Sequence, residues 1–175
     1  MNFQEQINTI WQVAQQCLRE TGAHQPQLIT TSPDGHLSVI TIVLPAGVRP
    51  RDVLPDILRM APVKQFIFIS EAWGLTHDKN QLRGHVQPGE SYDDAAKRLR
   101  ASLPANLEDC PDREEILMQI AVSRDYQDMR TIAFEHTADG AIAFPRPAVI
   151  THSTDPGARL VGAFINMKDV LELLN

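Results

Sequence analysis

The chain has few of the residues that would mark it as a specialised class of protein. Only Cys17 and Cys110 are cysteines among its 175 residues, and no CxxC spacing is present, so neither a disulfide framework nor a zinc site of paired cysteines is indicated. No apolar run approaches the roughly 20 residues that a membrane helix requires. The N-terminus also lacks the basic and apolar regions of a signal peptide. We therefore expect a cytoplasmic protein in which both thiols are free.

Positive charge is also in short supply. Lys and Arg number 16 against 22 Asp and Glu, which gives a net charge of -6 with histidine neutral. The field of such a chain repels nucleic acid and anionic membrane surfaces. The densest basic run, Lys97, Arg98 and Arg100, would be partly splayed around a helix axis. We expect no nucleic-acid partner and no membrane partner, and self-association remains open.

Complete catalytic and cofactor motifs are missing as well. None of the six histidines forms HxH, HxxxH or HExxH, and no GxSxG, GxGxxG or GxxxxGK[ST] occurs. The sequence therefore predicts no metal site and no cofactor, and it offers no catalytic residue.

What is present suits a globular protein with one core. Hydrophobic residues make up 43% and charged residues 22%, and the length favours a single domain over residues 1–175. Apolar residues at helical spacing predict a first helix from Phe3 to Leu18, which Gly22 would end. Further helices are predicted at Asp52 to Met60, Tyr92 to Leu103 and Met167 to Leu174.

Strand patterns fill much of the remaining chain. Ser32-Pro33-Asp34-Gly35 predicts a hairpin turn, and Asp139-Gly140 predicts another. Because Leu37 to Leu44 is β-branched and apolar on both faces, it favours a central strand. The pattern indicates an α+β domain with a mostly antiparallel sheet and helices packed on one face. The predicted strands are Gln27 to Thr31, Leu37 to Leu44, Lys64 to Trp73, Ile116 to Val122, Met129 to Thr137, Ala141 to Phe144 and Leu160 to Ile165, and Pro145 to Gly157 is predicted to be irregular and able to form an edge.

Glu71 is the charged residue that the strand pattern singles out. Alternation places it on the same face as Ile67, Ile69 and Trp73, so its carboxylate must reach solvent, gain a cationic partner or take up a proton. Arg113, just before the strand at Ile116, is the predicted partner. We expect Glu71, Trp73 and Arg113 to form a polar cluster, either a structural ion pair or the floor of a pocket.

One segment resembles a known motif. Gly84-His85-Val86-Gln87-Pro88-Gly89-Glu90-Ser91, with Ala95-Ala96 and Arg98, is similar to the front of a Nudix box. Gly84, Glu90 and Arg98 match that family's pattern, which implies nucleotide binding. The positions where the family carries its paired, Mg²⁺-binding glutamates hold Ser102 and Leu103, so the resemblance does not imply ordinary hydrolysis.

A second resemblance supplies context but no chemistry. Ser70-Glu71-Ala72-Trp73 and Pro111-Asp112-Arg113-Glu114-Glu115 are similar to landmarks of a group of uncharacterised bacterial and phage proteins. Two functions follow as hypotheses. The first is a non-enzymatic accessory or binding module that could self-associate, and the alternative is a divergent Nudix-like nucleotide-binding or nucleotide-processing domain.

Overall fold

The fold is an antiparallel sheet, and the part of the chain that the structure describes contains two complete helices. The computed structural model describes residues 1–45, 48, 50–74, 86–91, 94, 95, 98, 101, 102, 110, 113–154 and 174. The helices are α1 (Phe3–Thr21) and α2 (Pro50–Arg59). The strands are β1 (Gln27–Thr31), β2 (Leu37–Thr41), β3 (Gln65–Gly74), β4 (Glu114–Ser123), β5 (Tyr126–His136), β6 (Ile142–Ala143) and β7 (Val149–Ser153).

Helix α1 has well-defined signals at both ends. The Asn2 side chain accepts a hydrogen bond from the Glu5 N–H at 2.9 Å, and the Glu5 carboxylate accepts one from the Asn2 N–H at 2.8 Å. This reciprocal pair satisfies two donors that a helix leaves open at its start. Gly22 ends the helix in the left-handed region, at φ 77°, and its N–H donates to the Leu18 carbonyl. The predicted first helix and its glycine stop are confirmed.

The strands lie in the order β2-β1-β3-β4-β5-β6, and β7 also pairs with β5. Every pairing between these strands is antiparallel. The longest ladders join β3 to β4 and β4 to β5, in registers that place Trp73 opposite Glu115 and Glu115 opposite Phe134. The α+β class and the antiparallel sheet are therefore confirmed.

Each face of the sheet carries its own apolar cluster. One contains Trp11 and Leu18 of α1 above Ile67, Ile69 and Leu117. The other contains residues of α2 and the strand residues that alternate with Ile67, Ile69 and Leu117 along β3 and β4. Neighbouring residues of a strand point to opposite faces. The two helices therefore lie on opposite faces, whereas the sequence predicted helices on one face. The members of the α2 cluster include Leu54, Leu58, Phe66, Phe68, Met118 and Ile120.

The strand predicted to be central is an edge strand. Leu37 to Leu44 was expected inside the sheet, but β2 ends at Thr41, pairs only with β1 among the described strands, and is exposed at all five residues. The apolar, β-branched composition of this strand shows neither whether its side chains are buried nor how many strands lie alongside it. The opposite edge is formed partly by β7, within the segment predicted to be irregular and able to form an edge.

Several predicted elements lie wholly or largely outside the described residues. These are the strand at Leu160 to Ile165 and the helices at Tyr92 to Leu103 and Met167 to Leu174. Within the described part of the chain, neither helix is long and apolar enough to cross a membrane. The thiols of Cys17 and Cys110 are free, the first partly exposed and the second buried.

A charged group lies buried beneath α1. The Arg130 guanidinium donates to both carboxylate oxygens of Asp128, at 2.8 and 3.2 Å, and to the side chain of Asn8 on α1 at 2.8 Å. The side chains of Arg130 and Asp128 are only 6% and 1% exposed. The Tyr126 hydroxyl donates to the same carboxylate at 3.3 Å. This group fastens α1 to β5 through polar contacts, and the buried Gln119 of β4 adds another by donating to the Ile7 carbonyl at 3.1 Å.

Candidate functional site

The polar residues predicted from the sequence gather at one end of β3 and β4. Trp73 lies opposite Glu115, and the Arg113 guanidinium lies over the Trp73 ring at 4.7 Å from its centroid. His136 of β5 approaches the Glu115 carboxylate at 3.7 Å. We call Glu71, Trp73, Arg113, Glu115 and His136 the end cluster. A guanidinium over an indole is a favourable cation–π contact.

Glu71 does not take the partner that the sequence predicted. Its carboxylate accepts a hydrogen bond from the backbone N–H of His24, and among the described residues it forms no ion pair with Arg113. The register gives the reason: Glu71 lies opposite Leu117, and Arg113 lies four positions before Leu117. At about 3.3 Å per residue, this is a separation of roughly 13 Å along the strand. Arg113 therefore reaches Trp73 and not Glu71.

The surroundings of Glu71 favour its protonated form. Burial raises the pKa of the Glu71 carboxyl above its ordinary value, the His24 N–H lowers it, and the nearby Glu115 raises it again. Burial also lowers the pKa of His24, whose side chain is itself almost fully enclosed. The end cluster is therefore a place where a carboxyl can hold a proton above its usual pH range.

The chemistry available to the end cluster is limited. His136 contacts Glu115 and the edge of the Phe134 ring, and no described contact brings a hydroxyl or a thiol to it. Glu114, on the other face, pairs with Arg146. No set of three or more His, Cys, Asp or Glu among the described residues could hold a metal ion. The arrangement suits hydrogen bonding and ion pairing better than bond cleavage.

In the segment that resembles a Nudix box, two of the three matched residues contact each other. Glu90 accepts two hydrogen bonds from the Arg98 guanidinium, both at 3.0 Å, and this lowers the pKa of Glu90 to about 2. The same carboxylate accepts from the Gln87 N–H, and the Ser91 hydroxyl accepts from the Asp94 N–H. Glu90 and Arg98 therefore meet, while the third matched residue, Gly84, lies outside the described residues.

The edge strand β2 is a surface that the sequence did not single out. Leu37 and Val39 are 52% and 58% exposed, and no charged residue occurs between His36 and Arg49. Exposed edge strands usually carry charges or proline that discourage pairing with another chain. A plain edge of this kind is a ready template for an added strand. The sequence signal for this edge is the uncharged, β-branched run, and the same pattern is typical of a buried central strand.

Hydrogen bonding within the hairpin fixes which peptide groups of β2 are open. The Ser32 N–H donates to the His36 carbonyl at 2.9 Å and the Ile42 N–H to the Pro26 carbonyl at 2.8 Å. Bonded pairs recur at every second residue of an antiparallel ladder, so the even-numbered residues of β2 face β1. The N–H and C=O groups of Leu37, Val39 and Thr41 therefore point outward from the edge.

An apolar groove runs beside this edge, on the face that carries α1. It has a volume of about 250 Å³, and Ile10 and Val13 of α1 form one wall. Ile29 of β1 and Leu37 and Val39 of β2 form its floor. A strand added to β2 would place every second side chain on the same face as this groove. Edge and groove together we call the β2 surface.

Comparison with known proteins adds no functional assignment, since no family model, no curated protein and no solved structure matches this chain.

Proposed function

We propose that this chain is a non-enzymatic binding module that receives an extended segment along the β2 surface. The observation that carries the proposal is that three alternate residues, Leu37, Val39 and Thr41, direct their N–H and C=O groups outward from an exposed and uncharged strand. Strand addition of this kind draws affinity from main-chain hydrogen bonds and specificity from alternate side chains. The adjacent groove supplies the apolar contacts.

The distribution of charge supports the same surface. The net charge of -6 is carried outside the run from Leu37 to Val48, so an uncharged or mildly polar segment meets no local repulsion there. The end cluster lies at one end of β3, β4 and β5, and β1 separates β3 from β2 in the strand order. It is therefore available as an independent polar site and is not required for strand addition.

The direct test is amide hydrogen exchange, measured by NMR on dilute protein with and without a peptide of four Val-Thr repeats. We expect the amides of Leu37, Val39 and Thr41 to exchange more slowly when the peptide is bound. The amides of Ser38 and Ile40 already face β1 and serve as internal references. Unchanged exchange at the three outward amides, at peptide concentrations that saturate any binding, would contradict the proposal.

A second candidate function is nucleotide binding at the Nudix-like segment. The observation that favours it is the two-bond pairing of Glu90 with Arg98 beside a turn that the Glu90 side chain caps. A nucleoside diphosphate with Mg²⁺ should then raise the melting temperature of the protein, because a ligand of the folded state stabilises it. The Glu90→Gln variant should lose part of that increase. An identical response of variant and wild type, or no response of either, would remove this candidate.

A further inference from the structure

Strand β2 has the symmetry that pairing with a copy of itself requires. Its outward-pointing peptide units belong to Leu37, Val39 and Thr41, so the central residue of the exposed strand is itself one of the open ones. A two-fold axis through Val39 aligns Val39 with Val39 of the second copy and Leu37 with Thr41 of the second copy. Two-fold interfaces use the same patch on both partners, and this patch satisfies that condition in its backbone.

We infer that the partner of the β2 surface is a second copy of this chain, joined through antiparallel pairing of β2 with β2 about Val39. In this register each aligned pair exchanges two N–H to C=O hydrogen bonds. Every open donor and acceptor of Leu37, Val39 and Thr41 is thereby used in both copies. The two sheets become one continuous sheet, and both α1 helices lie on the same face of it.

The side chains agree with this register. Val39 meets Val39 of the second copy, on the face where Ile29 and Val13 already line the apolar groove. Val13, on the wall of the groove, is 60% exposed in a single copy. In the dimer the two grooves would lie on the same face and form one larger apolar surface. A β-branched pair across a strand boundary is favourable.

The charges also permit it. Two copies that each carry a net charge of -6 repel each other overall, but no charged side chain lies within the paired strands. Asp34, the nearest acidic residue, lies in the turn before β2, outside the paired strands, where its carboxylate is 3.4 Å from the His36 side chain. At physiological ionic strength, charges more than about 8 Å apart are largely screened.

The opposite edge of the sheet, at β7, provides the control. This strand is preceded by Pro145 and Pro147 and contains His152. Ile150 of β7 is 52% exposed, on the same sheet face as Val39, which makes it a matched position for a control.

The inference rests on the proposed function, and light scattering after size exclusion, over about a hundredfold range of protein concentration, tests it. The expected mass rises from 19.5 kDa toward twice that value as the concentration increases. Val39→Lys places two ammonium groups against each other at the axis and should weaken self-association at least about tenfold. Ile150→Lys makes the same change of charge on the other edge and should leave self-association as in the wild type.

Hydrogen exchange on the wild type tests the register without any substitution. The amides of Leu37, Val39 and Thr41 should become protected as the concentration rises, while those of Ser38 and Ile40 stay constant. A monomer at all concentrations would overturn the inference, and so would a dimer that survives Val39→Lys or dissociates with Ile150→Lys. If the protein is monomeric and the Val-Thr peptide still protects the outward amides, only self-pairing is refuted. If neither self-pairing nor the peptide protects them, the proposed function fails as well.

Discussion

The buried ion pair of Asp128 and Arg130 gives the sharpest prediction about stability. Asp128→Ala removes two of the three hydrogen bonds that the Arg130 guanidinium makes and leaves a cation that is only 6% exposed beneath α1. Breaking a buried pair by removing one partner costs about 3–5 kcal/mol, because an uncompensated charge stays buried. For a chain of this size, about 2–4 °C of melting temperature is lost per kcal/mol, so we expect a decrease of roughly 6–20 °C.

Urea denaturation followed by circular dichroism measures the free energy of unfolding directly. The transition midpoint should fall while its slope stays unchanged, since the surface exposed on unfolding is the same. The control is the double variant Asp128→Leu with Arg130→Met, which replaces both charges by apolar side chains. It should lose much less than Asp128→Ala, because no buried charge is left behind. A loss below about 1 kcal/mol for Asp128→Ala, or a double variant no better than the single one, would refute this reasoning.

Three further predictions concern the end of β3. Burial raises the pKa of Glu71, so the folded state binds its proton more tightly than the unfolded chain does, and the contribution of Glu71 to stability should fall as the pH rises from 4.5 through the raised pKa. Glu71→Gln should flatten this part of the stability profile, and a profile identical to that of the wild type would contradict the assignment. Arg113→Ala should cost about 0.5–1 kcal/mol in urea denaturation and expose Trp73 to iodide quenching of its fluorescence, whereas unchanged quenching would show that the stacking is absent in solution. A Cβ at Gly74 would lie 2.7 Å from the Ile116 Cδ1 atom, so Gly74→Ala should cost about 1–3 kcal/mol, and adding Ile116→Val should recover part of that loss in the same denaturation assay.

Local sequence patterns predicted a helix well where one face of that helix is buried and the other is exposed to solvent, and they predicted turns well. Helix α1 buries Ile7, Trp11, Ala14 and Leu18 at helical spacing, and its end is marked by Gly22. The Asp139-Gly140 turn joins β5 to β6 as expected. These features depend on contacts within a few residues, and the backbone preferences of turn residues are local as well.

The arrangement of the strands could not be obtained in the same way. The alternation of side chains along a strand predicted that Glu71 and Trp73 lie on the same face of β3. The end cluster could be anticipated from that prediction. The partner of Glu71 depends on the register between β3 and β4, which is set by contacts over the whole ladder and has no local signature. The prediction that Leu37 to Leu44 is a central strand was wrong for a related reason, since the sequence of an uncharged β-branched strand is the same whether it has one neighbouring strand or two.

The candidate site was predicted in part. Trp73 and Arg113 lie together as predicted. The β2 surface could not be predicted, because it depends on the direction in which each residue of β2 forms its backbone hydrogen bonds. Side-chain composition carries no information about which peptide groups point outward. That information comes from the pairing with β1, and it becomes available only with the structure.

The register between β3 and β4 has a consequence for the length of the chain between them. Gly74 lies opposite Glu114, so the chain ends β3 and begins β4 at neighbouring positions, with residues 75–113 between them in sequence. The entropy of closing a loop grows slowly, and doubling its length costs only about 0.6 kcal/mol. The cost of closing this connection therefore depends little on its length, while the burial of Ala95 and Cys110 limits where residues can be added without loss of stability.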